Sequence, residues 1–298
     1  MRKDILLPVL AVGGGAGCLA LRQWQLRSAY DAETQLFAHG APATYALLAL
    51  TVVLAVLLVV LVQKGESPSD FLAAFRCPAP LYMAGMAAAA FLFFGAGVLG
   101  LLYGLDELTL WRVDPKGHLL TYPAALLLCA LLCFPAGLAC LQVGKGAYRG
   151  RPTQSSSLTA LFPACAGLVW LFATHLAHST DPILMGYGFS LAAAALLMLA
   201  HYEVAASFHG RPHPRRALFF ALMGSVLGLT SLLDGLPPFF TVLTAAFLLS
   251  ALSGSCALAR NLFGPPWPRR LLSERMPLGA EEEDDEEEVS HQDDTEEL

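Results

Sequence analysis

Eight apolar stretches, each long enough to cross a bilayer, occupy most of the 298-residue chain. They cover residues 5–21, 43–62, 81–103, 119–141, 158–177, 183–208, 217–233 and 239–259. A hydrocarbon core about 30 Å thick takes roughly 20 helical residues to span. Backbone groups in lipid have no water to bond, so a spanning segment is a helix or belongs to a closed barrel. These runs are continuous and rich in Leu, Ala and Gly, without the apolar–polar alternation of barrel strands. The fold class read from the sequence is therefore an all-α integral membrane protein with eight transmembrane helices. Charged residues make up only 14% of the chain, where a soluble domain carries about 25%. The lipid bilayer is the first partner implied.

Eight spans return both termini to one side. Lys and Arg concentrate in cytoplasmic loops, and here they divide fourteen to four among the 18 basic residues. Arg22, Arg27, Arg112 and Lys116 fall on the side opposite the termini, and the other fourteen fall on the terminal side. The expected topology is a multi-pass protein of the cell membrane with both termini cytoplasmic. Arg2 and Lys3 before an apolar run resemble a signal peptide, and Gly15-Ala16-Gly17-Cys18 resembles a lipoprotein cleavage box. Such boxes favour a larger aliphatic residue where Gly15 stands, so an uncleaved signal-anchor helix is the reading adopted.

Residues 280–298 hold twelve of the 24 acidic side chains, in an unbroken run at 281–288 and a sparser end. A block of like charge without aromatics buries too little surface to fold. This acidic C-terminal tail is read as disordered, and as the element through which a cytoplasmic protein partner would be recruited. The preceding segment, with Trp267 between prolines and arginines, suits the headgroup level. The basic loops are too dispersed to indicate nucleic acid, and no oligomeric state follows from the sequence.

Two parallel four-helix repeats are suggested by a local self-similarity. Val98-Leu99-Gly100-Leu101 and Leu105-Asp106 correspond to Val226-Leu227-Gly228-Leu229 and Leu233-Asp234, and Phe93-Phe94 and Phe219-Phe220 precede them. A duplication with an even number of helices relates its halves by an axis along the membrane normal. The organisation expected is a first repeat at 1–141, a second at 142–262, a juxtamembrane segment at 263–278 and the tail at 279–298.

Ionisable residues inside a membrane are costly and mark candidate sites. Glu203 in the sixth span is the deepest, and an interfacial ion pair with Arg211, Arg215 or Arg216 would satisfy it. His175 and His178 are three apart at the end of the fifth span and should share a helical face, with Asp181 close behind as a third ligand or an N-cap. Asp106 and Asp234 hold equivalent places in the two repeats and either cap turns or draw a cation into a vestibule. Cys129, Cys133 and Cys140 fall on one face of the fourth helix and suit close helix packing.

No metalloprotease pair, phosphate-binding loop or nucleophile elbow occurs, so the sequence points away from an enzyme and implies no cofactor. A transporter or transporter-like subunit is the expectation, by analogy with carriers built from parallel repeats. The alternative is a structural or regulatory membrane subunit working through its tail. A cavity lined by polar groups would separate the two.

Overall fold

The structure, a computed structural model, describes residues 2–31, 33–34, 36–63, 71–115, 119–150, 154–179 and 183–268. The acidic tail at 279–298, Asp181 and Lys116 lie outside them. Every regular element among the described residues is a helix: α1 Lys3–Ser28, α2 Pro42–Val62, α3 Phe71–Phe75, α4 Pro80–Val113, α5 Thr121–Arg149, α6 Gln154–Thr159, α7 Phe162–Ala177, α8 Leu184–Phe208, α9 Pro214–Ser231 and α10 Pro238–Phe263. Five of them carry proline in their first two positions. A missing N–H is harmless there, and the fixed φ suits the first turn.

Seven segments are long and apolar enough to cross a membrane, with α6 and α7 sharing one of them. The remaining predicted span is α9, which has 18 residues and opens on Pro214-Arg215-Arg216. Its lower hydropathy has a structural counterpart. Helix α9 is sandwiched between α8, α10, α1 and α2, so protein rather than lipid covers most of it. It therefore tolerates Ser225, Thr230 and Ser231, all fully buried. Their hydroxyls donate to Ala221 O, Val226 O and Gly228 O of the same helix at 2.6, 2.8 and 2.9 Å.

Helices α4, α5, α7, α8, α9 and α10 form a closed ring, each packed on the next, with α10 returning to α4. Helix α1 lies outside the ring against α9 and α10, and α2 packs on α1 and α9. Small residues allow close approaches in the ring. A Cβ on Gly97 of α4 would sit 3.2 Å from Ala130 O of α5, and one on Gly137 of α5 would sit 3.1 Å from Ala90 O of α4. That reciprocal contact is the kind membrane helices use in place of hydrophobic driving force. Cys129, Cys133 and Cys140 are buried on α5, and the Cys129 thiol points to Ala166 O of α7 at 3.7 Å.

Two polar clusters tie the ends together. Asp4 at the start of α1 accepts from Arg260 Nη1 near the end of α10 at 3.1 Å, so these two ends share one face, the terminal face. On that face Asn261 donates to Ala74 O and Arg76 O at 2.8 and 2.9 Å, and Trp267 Nε1 donates to Asn261 Oδ1 at 2.8 Å. The Trp267 ring also lies under the Arg260 guanidinium, 5.2 Å from ring centre to Cζ. On the opposite face, Arg22 of α1 reaches Asp234 in the turn after α9.

The two proposed repeats pack differently. Helix α8 runs closely along α9, whereas their counterparts α2 and α4 share no comparable contact. Asp106 is exposed on the outer end of α4, while the Asp234 side chain is buried. The 34 residues of α4 give a length of about 51 Å at 1.5 Å per residue, well beyond a 30 Å core. Asp106 therefore sits on an overhang, not at a site equivalent to that of Asp234.

Candidate functional site

The ring is bridged at its centre by one residue. Phe247 of α10 meets Phe93 of α4 edge-on at 4.9 Å between ring centres, stacks on Trp170 of α7 at 5.1 Å, and takes the His201 ring of α8 edge-on at 5.0 Å. Phe93, Trp170 and Phe247 are essentially inaccessible. Such pairs favour offset and edge-to-face geometry, so the three rings hold one another in place as a plug across the axis.

A cavity lies on each side of this plug. The larger, about 330 Å³, is on the opposite face. It is lined by Tyr103 and Glu107 of α4, Tyr122 of α5, Trp170, Thr174 and His178 from α7 and its end, Ser190 of α8, and Leu236, Pro237 and Phe240 around the start of α10. The Tyr103 and Tyr122 hydroxyls meet at 3.2 Å. Glu107 stands one helical turn beyond Tyr103 on the same face and interacts with its hydroxyl. Thr174 is 3% exposed, and its hydroxyl has no hydrogen-bond partner. The smaller cavity, about 50 Å³, lies towards the terminal face, and all six ring helices contribute to its lining, among them Tyr82, Cys140, Val204, Ala217 and Ser250. His201 also lines it, with Nε2 2.8 Å from Ser250 Oγ and Nδ1 2.8 Å from Leu197 O.

The anticipated site residues do not converge. His178 reaches the larger cavity and stacks on Tyr187 at 4.4 Å. His175 is exposed. Helix α7 ends at Ala177, so His178 is already the C-cap residue, with φ −112° and ψ 19°, and the helical spacing that would place both imidazoles on one face no longer applies. Among the described residues no group of three or more His, Cys, Asp or Glu is arranged to hold a metal ion. Glu203 is buried near the terminal face with His213 Nδ1 at 3.4 Å, an ion pair when that imidazole is protonated, and Arg216, one of the expected partners, lies within electrostatic reach.

Asp234 belongs to a cluster that sequence reasoning missed. The sequence places Arg22 just beyond the first apolar run, on the side opposite the termini; α1 continues to Ser28 and buries it at 1% exposure. Its Nε donates to Asp234 Oδ1 at 2.8 Å, Nη1 to Gln25 Oε1 at 2.7 Å, and Nη2 to Gly186 O at 3.1 Å. Gln25 in turn donates to Thr44 Oγ1 of α2 at 2.9 Å. The guanidinium also lies 5.3 Å from the Phe189 ring centre, within reach for cation–π attraction. Burial pushes the Asp234 carboxyl up to about 6, and Arg22 opposes that rise. The cluster joins α1, α2, α8 and the turn after α9; it fixes the bundle and is separate from the axial cavities.

No protein-family model, no curated protein and no solved structure matches this chain.

Proposed function

We propose that the protein is a multi-pass carrier of the cell membrane, with both termini cytoplasmic, that moves a small solute along the axis of the six-helix ring. The observation that carries this reading is the pair of cavities separated by the Phe93–Trp170–Phe247 plug. A body with only a structural role has no reason to leave about 330 Å³ of partly polar space among buried aromatics. Small-molecule pockets start at roughly that size. Two chambers meeting at a side-chain constriction suit alternating access, in which one opens as the other closes. The charge bias of the loops supports the orientation, and it makes the larger cavity face outward. The alternative of a subunit that recruits a cytoplasmic protein through its tail draws support from the acidic run at 281–288.

Accessibility from the two sides tests the carrier. In a background lacking the seven native cysteines, Ala177→Cys should react with an impermeant thiol reagent from outside and Ala217→Cys only from inside. Phe247→Ala should make Ala217→Cys reactive from outside as well. A dry cavity, seen as no reaction at Ala177→Cys from either side, overturns the proposal.

A further inference from the structure

The larger cavity has a chemistry that selects among solutes. Its described lining holds the rings of Tyr103, Tyr122, Trp170 and Phe240, the imidazole of His178 and one carboxylate, Glu107. No lysine or arginine is among the described residues that line it. Glu107 is therefore the one permanent charge among the described lining residues, and it stands beside the half-buried rings of Tyr103 and Tyr122, whose faces attract cations most strongly where water is excluded. An anion would meet a carboxylate with no lysine or arginine among the described lining residues to compensate it, and desolvating it there would be unfavourable.

A metal ion fits poorly for a different reason. Hard cations take six or more oxygen ligands, and Glu107 is the single carboxylate among the described lining residues. An organic cation needs no such shell. Its charge is spread over methyl or methylene groups that rest on aromatic faces. The volume equals that of about eleven water molecules at roughly 30 Å³ each, which limits the ligand to a compact one. Thr174 supplies an independent indication. A buried hydroxyl without a partner is destabilising, and the residue that carries this one is part of the cavity lining.

We infer that the outer cavity binds a compact organic ammonium ion, with its charged end against Glu107 and the aromatic rings and a polar substituent at Thr174. The inference rests on the carrier reading for its physiological meaning, but binding itself is separable from transport.

The experiment is equilibrium binding by calorimetry to the purified full chain, using choline, tetramethylammonium, and 3,3-dimethylbutanol as the uncharged analogue of choline. Choline and tetramethylammonium should bind, and the uncharged analogue at least tenfold more weakly than choline. Glu107→Gln should weaken both cations at least tenfold. Thr174→Val should weaken choline several-fold and leave tetramethylammonium unchanged, a split that general loss of structure does not produce. Equal binding of choline and its uncharged analogue to the unmodified protein overturns the inference, whatever the variants do, and so does no binding of either cation. Uptake of labelled choline into proteoliposomes then separates the two readings. Saturable binding without uptake removes the carrier and keeps the cation site. Opposite-side thiol reactivity with no cation binding keeps the carrier and removes the site.

Discussion

Breaking the Arg22–Asp234 pair is the most direct test of how the bundle is held. The two side chains are each 1% exposed and 2.7 Å apart at Nη2–Oδ1. Removing one partner of a buried pair strands the other charge and costs about 3–5 kcal/mol, whereas removing both can be nearly neutral. Asp234→Asn keeps the shape and an acceptor oxygen for Arg22 Nε but removes the negative charge that neutralises the guanidinium. Arg22→Met strands the carboxylate, whose Oδ2 already has no hydrogen-bond partner. Each single variant should therefore lose about 3–5 kcal/mol. At about 2–4 °C per kcal/mol for a chain of this order, the melting temperature falls by about 6–20 °C. The double variant should lose much less than the sum, giving a coupling of about 3 kcal/mol in a double-mutant cycle. The assay is thermal unfolding in one detergent at fixed protein concentration, followed by tryptophan fluorescence. Strictly additive losses, or single variants that melt with the unmodified protein, would show that the two charges do not depend on each other.

Gly100 and Gly95 of α4 make a matched pair. A Cβ on Gly100 would come within 2.6 Å of Phe239 and 2.9 Å of the Ala130 Cβ, whereas one on Gly95 meets nothing within 4 Å. Gly100→Val should cost about 1–3 kcal/mol by overpacking, and Gly95→Ala should be neutral or gain about 0.5–1 kcal/mol by helix propensity, both read as melting shifts. Thiol labelling at substituted positions near Arg149 and Arg215 should report the cytoplasm, and near Glu33 and Lys116 the outside; the same side for Arg149 and Lys116 would remove the eight-span topology. Truncation after Gly279 should leave the melting temperature unchanged and alter lipid or partner association only, and a large loss of stability would mean that the tail packs on the body.

Hydropathy made the spans legible because each is a local property of about 20 residues. Every predicted span has its helix, and the largest departures are extensions. Helix α1 runs past residue 21 to Ser28 and α4 past residue 103 to Val113, because helical hydrogen bonding does not stop at the lipid boundary and polar residues such as Asp106 and Arg112 are good enough helix formers in water. Those extensions also hid the sites. Arg22 stands just after an apolar run and reads as a loop charge; only the fold brings it to Asp234, 212 positions away. Phe247, Phe93 and Trp170 each lie inside an apolar run where an aromatic is indistinguishable from a lipid-facing one. Their meeting depends on which helices are neighbours in the ring, and hydropathy carries no such information. The signal closest to the axial cavity was the His175–His178 spacing. It failed at the helix end, where the 3.6-residue period no longer applies after Ala177. A different clue was present in α9, whose Ser225, Thr230 and Ser231 are too polar for a lipid-facing surface. Apolar runs interrupted by hydroxyl residues mark the helix that neighbours shield, and in this chain that helix leads into the turn carrying Asp234, against which α1 is fastened.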